Sequence, residues 1–481
     1  MTSSASPLDD IPWKPKNRKL SSNLPSSSSM LRSREDVWTA LRELPQDSLI
    51  VLHAISPQII SMQTVSGRYT LNMNYADMDG LDLSQCRCRF LVLDSYGQGA
   101  LLKRLGISRA AESVRLQERV LSRPEQWFHA LSTDELLFAF TENQKKLKQG
   151  LLINSYDLMR RAQPYLSDLP GFHVDRKLYE AVLHSWGSQE NMRGTVTAWR
   201  EQLRLHPDIM PVNLIPNGML HGRFTAKNPS ILAMPAELRS AMNAPHGYTF
   251  VSVDFHQCQP RIIAEASQDP VFRAPFVNGT DYYTMWASFL LNKKEQDVIP
   301  EERKACKAIA LKWCFGMGDD KLSDEFELQG FSKELALQGM RRFENACDRL
   351  KSWEQYLISR TCKQKGIWTI SAVPSLRRFF PVPHGSFHNA MNYLATGTEV
   401  TIMLVAIIAL GKKLEEKYPA ARIALYLYDE LIVQCPREEA DAVAALTQDA
   451  LLWAFRKILP DAPTSGLLDC RIAPNWGALK G

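Results

Sequence analysis

The sequence predicts an α+β protein of several lobes. Three observations lead there: its 481 residues exceed one ordinary domain, strand-like apolar runs cluster in separated regions, and long stretches between them carry helical spacing. At roughly 150 residues per domain, the length fits about three domains or one large multi-lobed unit. Hydrophobic and charged fractions of 45% and 23% are those of a soluble globular chain and exclude a wholly disordered one. A formal charge of +5 is small for this length, so any case for a polyanionic partner must come from where Lys and Arg fall.

Residues 1–35 are rich in Ser, Pro and Lys, with SSSS at 26–29, and too poor in apolar residues to fold, so a disordered tail is expected. From 36 to 107, runs such as SLIVLHAI and RFLVLDSY alternate with polar turns, which predicts a small mixed α/β region. Between 108 and 205, AAESVRLQERVL, TDELLFAFTENQKKLKQGLL and MRGTVTAWREQLRL place apolar residues every three or four positions, as helices do. Residues 206–270 are first loop-rich, with Pro216-Asn217-Gly218 and Asn228-Pro229 as turn signals, and then strand-like at YTFVSVDF. The segment 271–370 is mostly helical, and 371–481 returns to a strand, helix, hairpin order. VTIMLVAIIAL at 400–410 is about half the ~20 residues a membrane span needs; it reads as a buried helix, and no membrane partner is expected. No secretory signal is visible at the start, and Asp9 and Asp10 weaken a transit-peptide reading. Nine cysteines lack CxxC spacing, and Cys86 and Cys88 sit too close for a zinc knuckle, which points to free thiols in a reducing, intracellular compartment.

The chemistry concentrates in three places. LYLYDELIVQ at 425–434 sets Asp429 and Glu430 inside an apolar run, where an unpaired carboxylate costs more than the ~2–7 kcal/mol of a neutral polar group. The pair is either a hairpin tip in water or a buried site with a counter-cation. TFVSVD at 249–254 ends on Asp254, which either caps the following helix or joins the first pair. Carboxylates on neighbouring strands of one sheet can clamp two metal ions roughly 3.5–4 Å apart. In EERKACKAIALKWCFGMGDDK at 301–321, Arg303, Lys307, Leu311 and Phe315 recur every four residues and form one stripe, two cations and then two apolar groups. Such a stripe suits a nucleotide laid along a helix, or else it is a solvated basic end.

In this order the stretches resemble the A-family, polymerase I-like DNA polymerases. The family's first motif is similar to Val253-Asp254-Phe255-His256-Gln257-Cys258-Gln259-Pro260-Arg261, its second to Arg303-x3-Lys307-x7-Phe315-Gly316, and its third to Tyr428-Asp429-Glu430-Leu431. Gly222-Arg223 matches the pair before the palm, while GMGDDKL at 316–322 and PNW at 474–476 look most like the phage-type branch.

The resemblance, over about 205–481, implies a right-hand fold: a helical thumb at 108–205, palm at 206–270 and 371–481, and fingers at 271–370. Residues 36–107 stand where relatives carry a proofreading exonuclease, lack its Asp-x-Glu pair, and read as a degenerate remnant. The implied reaction is template-directed, two-metal extension of a primer 3′-hydroxyl with dNTPs, without proofreading. Asp254, Asp429 and the backbone carbonyl of Phe255 would hold two Mg²⁺ ions, with Mn²⁺ as an alternative, and Glu430 would assist from behind. Lys307 would steady the triphosphate and protonate the leaving group, with Arg303, Leu311, Phe315 and Gln259 completing the dNTP site. Arg223, Gln257, Arg261, Arg377, His388, Asn392, Thr396 and Tyr428 would contact primer-template DNA, and the lysines of QKKLKQG at 144–150 either follow its backbone or solubilise a turn. The partners implied are primer-template DNA, dNTPs and an unidentified processivity or replisome protein, in bacterial or phage-infected cytoplasm, a nucleus or a mitochondrion.

Several positions depart from the family. Gln259 replaces a glutamate that packs where a ribose 2′-hydroxyl would sit, and Phe315 lacks the tyrosine hydroxyl that can tie that glutamate down, so weakened sugar selection is expected. Tyr428, His388 and Thr396 replace the usual His, Arg and Gln. A single-subunit RNA polymerase and a polymerase-shaped binding protein without catalysis remain alternatives, the first disfavoured because that group usually has Ser where Glu430 stands.

Overall fold

The computed structural model describes residues 29–480 apart from 57, 79, 108–109, 122–132, 150–151, 188, 220–221, 315–317, 362–366, 370–376 and 380–385. It describes the backbone alone at 56, 308, 311, 314, 319, 357–361, 367–369, 377–379 and 386–391. The chain divides into two compact units, one running to Asp168 together with Leu376–Phe379, the other holding Leu169–Ser375 and Phe380–Gly481.

The first unit is built on a six-stranded mixed sheet. Its strands are β1 (Ser29–Leu31), β2 (Leu49–Ser56), β3 (Ile59–Gln63), β4 (Arg68–Asn72), β5 (Arg89–Val92) and β6 (Glu112–Ser113), in the order β1-β4-β3-β2-β5-β6. An antiparallel meander β2-β3-β4 is extended by parallel partners on both sides. Two findings differ from the sequence reading. Ser29–Leu31 is a strand, and Ser33 and Asp36 close a capping box on the helix Arg34–Arg42, so the end of the expected tail is ordered. Backbone pairing and a cap need few apolar side chains, which is why composition missed them. Second, α1 (Thr133–Gln149) lays Leu136 and Phe140 against Val51, Leu91 and Val114, and Met159 of α2 (Ile153–Leu166) accepts a hydrogen bond from the Tyr96 hydroxyl. These helices therefore belong to the first unit, whose boundary falls at Asp168 rather than near 107. Lys146 of QKKLKQG is buried, so that run is not one solvated basic face.

The second unit holds a four-stranded antiparallel sheet of β7 (Tyr248–Phe255), β8 (Arg422–Leu427), β9 (Glu430–Pro436) and β10 (Leu468–Ala473), in the order β8-β9-β7-β10. Strand β7 is central and buried along nearly all its length, which explains its unbroken apolar sequence. Three helices surround the sheet's chemistry: α3 (Cys258–Ser267), α6 (Ser386–Lys417) and α7 (Ala440–Ile458). The apolar run at 400–410 is the middle of α6, whose stretch from Asn392 to Lys417 is long and apolar enough to cross a membrane yet is mostly buried inside the unit.

Residues 270–361 form a helical subcore that includes α4 (Tyr282–Leu291) and α5 (Pro300–Cys314). Trp286 stacks on Phe343 with centroids 4.1 Å apart, and Trp313 and Phe272 complete the cluster. Each such ring contributes about 1.5–3 kcal/mol by burial, enough to fix the helix that carries the two cations.

Candidate active site

Asp254 does not cap α3: the cap position is Gln257, in left-handed conformation and with no side-chain cap bond. It is the penultimate residue of β7 instead, opposite Glu430 on β9 and Asp469 on β10. One residue on, the Phe255 N–H donates to the Asp429 carbonyl at 3.1 Å, so the backbones of the first and third motifs are pinned together. Strands β8 and β9 are joined by Tyr428 and Asp429 alone, so the hairpin-tip reading of YDE holds in topology. The water-exposed part of that reading does not, because Asp429 is partly buried among other carboxylates. Tyr428 has φ 62°, a conformation bulky residues seldom adopt and one that a two-residue hairpin demands.

The site is over-supplied with negative charge. Burial first, then Glu399 and Asp254, push Asp429 up to about 8, with Arg223 opposing only in part. Burial also raises Asp254, helped by Glu430 and Asp469 and opposed by Lys480. The Oδ1 atom of Asp254 is buried and finds no hydrogen-bond partner among the described residues. Such a set fits divalent cations. Mg²⁺ is typically held by one or two carboxylates, with substrate phosphates and water completing the shell; among the described residues no three His, Cys, Asp or Glu side chains form a ready cage.

One participant was missed. The Nζ atom of Lys480 lies 2.9 Å from Glu430 Oε2 and 3.5 Å from Asp254 Oδ2. Burial works against its ammonium, but Glu430 and Asp254 outweigh that and hold it above the ordinary lysine range. Trp476 aims it: this buried ring stacks on Phe172 at 5.2 Å, and the chain then turns at Gly477, where a Cβ would come within 2.7 Å of Ser240 backbone. Glu430 itself is 1% exposed and accepts from the Ser252 hydroxyl at 2.6 Å.

The second motif behaves as its spacing predicts where it is described. Arg303 and Lys307 leave α5 on one face, 5.5 and 5.2 Å from the ring centre of Tyr283. Arg303 is held by a fork on Asp281 at 2.6 and 2.9 Å. Asp281 also caps α4 through Thr284 N–H and lies 3.5 Å from Gln257 Nε2, linking first and second motifs. The Leu311 side chain is not described, and Phe315 lies outside the described residues.

Of the residues expected on DNA, Arg223 makes a fork with the fully buried Glu399 at 3.0–3.2 Å and lies 4.6 Å from the Tyr428 ring centre. Two expectations are corrected. Arg261 is 5% exposed and donates to the carbonyls of His256, Pro463, Ser465 and Gly466, so it braces the loop after α7 and has little to offer DNA. Thr396 is 1% exposed and its hydroxyl turns back to the Asn392 carbonyl, so it presents nothing to a groove, whereas Asn392 stays partly exposed. Side chains of Arg377 and His388 are not described. Gln259, 8% exposed, donates to Glu399 at 2.6 Å, and so is not untethered as the missing hydroxyl implied.

Comparisons with known proteins identify the family and the fold. The family model described as DNA polymerase family A matches residues 183–477. DNA polymerase I of Aquifex aeolicus is 28% identical over 264 residues, 54% of this chain and 44% of its own length. The thermostable DNA polymerase I of Thermus thermophilus is 25% identical over 402 residues, 79% of this chain and 45% of its own length. The chain thus spans less than half the length of these bacterial relatives. The POL domain of Pol1 from M. smegmatis, in complex with DNA primer-template and dNTP, superposes with TM-score 0.76 at 15% identity, covering 95% of this chain and 100% of that one. At that identity the likeness establishes the fold, a mixed α/β polymerase-domain fold.

Proposed function

Because the chain belongs to DNA polymerase family A, we propose that it extends a primer 3′-hydroxyl with deoxynucleoside triphosphates under template direction, at the site of Asp254 and Asp429. The observation that carries this reading is the antiparallel pairing of β7 and β9. It sets Asp254 opposite Glu430 and ties Phe255 to Asp429, gathering excess carboxylate charge at one sheet end, while Gln257 and Asp281 connect that end to Arg303. In this reading the four-stranded sheet and α6–α7 are the palm, 271–370 the fingers, and of the helices expected to form the thumb those at 176–205 are the ones that lie in the second unit.

Asp254, Asp429 and the Phe255 carbonyl would hold two Mg²⁺ ions, which when bound lower the primer hydroxyl's pKa and neutralise charge on the transferring phosphoryl group. The chain's own residues do the rest. Arg303 grips the far phosphates as a fork, Lys307 steadies the triphosphate and donates a proton to the leaving oxygen, and Glu430 keeps the Asp254 strand end in place through Ser252 and Lys480.

Absence of proofreading is part of the proposal. In the first unit the buried or partly buried acids Asp94, Glu112 and Asp134 are each engaged by arginine: Arg115, Arg89 and Arg68 respectively. The phage-type affinity read from GMGDDKL and PNW also stays proposed.

Primer extension with Mg²⁺ tests the reading. Extension with dNTPs in preference to rNTPs is expected; preference for rNTPs would favour an RNA polymerase-like enzyme, and binding without extension a catalytically inactive protein.

A further inference from the structure

We propose that Glu399 is the positioning residue that locks Gln259 as the sugar-discriminating wall of the nucleotide pocket. The inference rests on the reading of Gln259 as the residue beside the ribose 2′ position, and deepens it.

Gln259 lies in the first turn of α3, and the tip of its side chain is free to rotate unless something selects one face of its carboxamide. Glu399 makes that selection. Its Oε2 atom lies 2.6 Å from Gln259 Nε2, and a carboxylate can only accept, so the amide nitrogen must face it and the amide oxygen must face away. Glu399 cannot swing aside in turn. It is fully buried, and both its oxygens are engaged by the Arg223 fork at 3.0–3.2 Å. Arg223 is clamped against Tyr428, one residue before Asp429. A chain of contacts therefore runs from the reacting end of the sheet to the carboxamide.

The same contact explains the residue type. A carboxylate at 259 would stand against the buried carboxylate of Glu399, an arrangement that forces one acid to keep its proton. Gln259 with Glu399 places the single negative charge on the α6 side of the hydrogen bond, within reach of Arg223. The acid at 399 and the amide at 259 are thus one coupled choice. A held carboxamide cannot swing aside for an incoming 2′-hydroxyl, whereas an untethered one can make room for it.

Single-nucleotide incorporation by the full chain, measured as the dNTP-to-rNTP ratio of kcat/KM, tests this. Glu399→Gln is expected to lower the ratio by a factor of roughly 2 to 13, the equivalent of one hydrogen bond. Gln259→Ala is expected to lower it further. Glu399→Asp keeps the charge for Arg223 but falls one methylene short of Gln259, so it lowers the ratio too and serves if Glu399→Gln does not fold. The exchange Gln259→Glu with Glu399→Gln restores the ratio lost by Gln259→Glu alone, while the melting temperature stays below wild type because Arg223 loses its buried carboxylate. If Gln259→Ala changes the ratio while both Glu399 variants leave it at the wild-type value, the tether is overturned and the wall survives. If Gln259→Ala also changes nothing, the placement of Gln259 at the sugar is itself wrong. An exchange that fails to restore the ratio overturns the coupling.

Discussion

Replacing Lys480 with methionine should strengthen divalent-metal binding by the nucleotide-free protein. The ammonium lies 2.9 Å from Glu430 and 3.5 Å from Asp254, and it is the opposing cation in Asp254's own electrostatics. A cation arriving at Asp254 must work against this occupant. A charge-assisted contact is worth about 1.5–3 kcal/mol when buried, but the Lys480 side chain is 40% exposed, so about 1 kcal/mol remains after screening. That corresponds to roughly fivefold tighter binding, at about 1.4 kcal/mol per factor of ten. Lys480→Met keeps the stem's apolar volume but removes the cation beside the buried Glu430, so a modest fall in melting temperature, equivalent to about 1 kcal/mol, should accompany the tighter binding. The assay is Mn²⁺ titration followed by electron paramagnetic resonance, without DNA or nucleotide, at fixed pH and ionic strength. Lys480→Arg retains the charge and should bind Mn²⁺ like wild type. Equal or weaker binding by Lys480→Met would refute the idea that this side chain competes for the carboxylates.

Other outcomes follow from the same geometry. Arg303→Ala should raise KM for dNTPs with little effect on duplex affinity, and Lys307→Met should lower the single-turnover rate by two or more orders of magnitude, about 3 kcal/mol or more of transition-state stabilisation; unchanged kinetics in rapid-quench assays would contradict the stripe's role. The protein should fail to trim a mismatched 3′ end, because Asp94, Glu112 and Asp134 of the first unit are each engaged by an arginine; metal-dependent trimming that persists in Asp254→Asn would contradict this. Glu354 is pushed up to about 7 by burial and then by Glu344, with Lys351 opposing. Its folded pKa is raised, so folding takes up a proton: the stabilisation is fully present below the unfolded pKa near 4.5 and is lost as pH rises through about 7. Glu354→Gln should therefore flatten the fall in melting temperature over that window, and an unaltered pH profile would count against it.

The sequence made the two acid-ended strands legible because an apolar run that stops at a carboxylate is unusual, and β7 and β9 pair as those runs suggested. The cationic stripe was legible for a similar reason, since four-residue spacing fixes one helix face whatever surrounds it. Asp281 was not, because a residue that caps a helix looks alike in sequence whether or not it also holds Arg303. Glu399 directly precedes the apolar run at 400–410, and nothing local distinguishes it from an ordinary polar flank; its partners lie 176 and 140 residues away in the chain. Lys480 depends on a turn that only Trp476 packing and Gly477 permit, and no local pattern announces it. Arg261 and Thr396 failed in the opposite sense: their positions matched DNA-facing ones, but burial turned their polar atoms inward.

The central claim is that Asp254 and Asp429 perform metal-dependent nucleotidyl transfer, and single-turnover primer extension by Asp254→Asn beside a duplex-binding titration tests it most directly. The expected result is a rate lower by several orders of magnitude, at about 1.4 kcal/mol per factor of ten, with duplex affinity nearly intact. Extension by Asp254→Asn at more than about a tenth of the wild-type rate, under 1.4 kcal/mol of barrier, would contradict it.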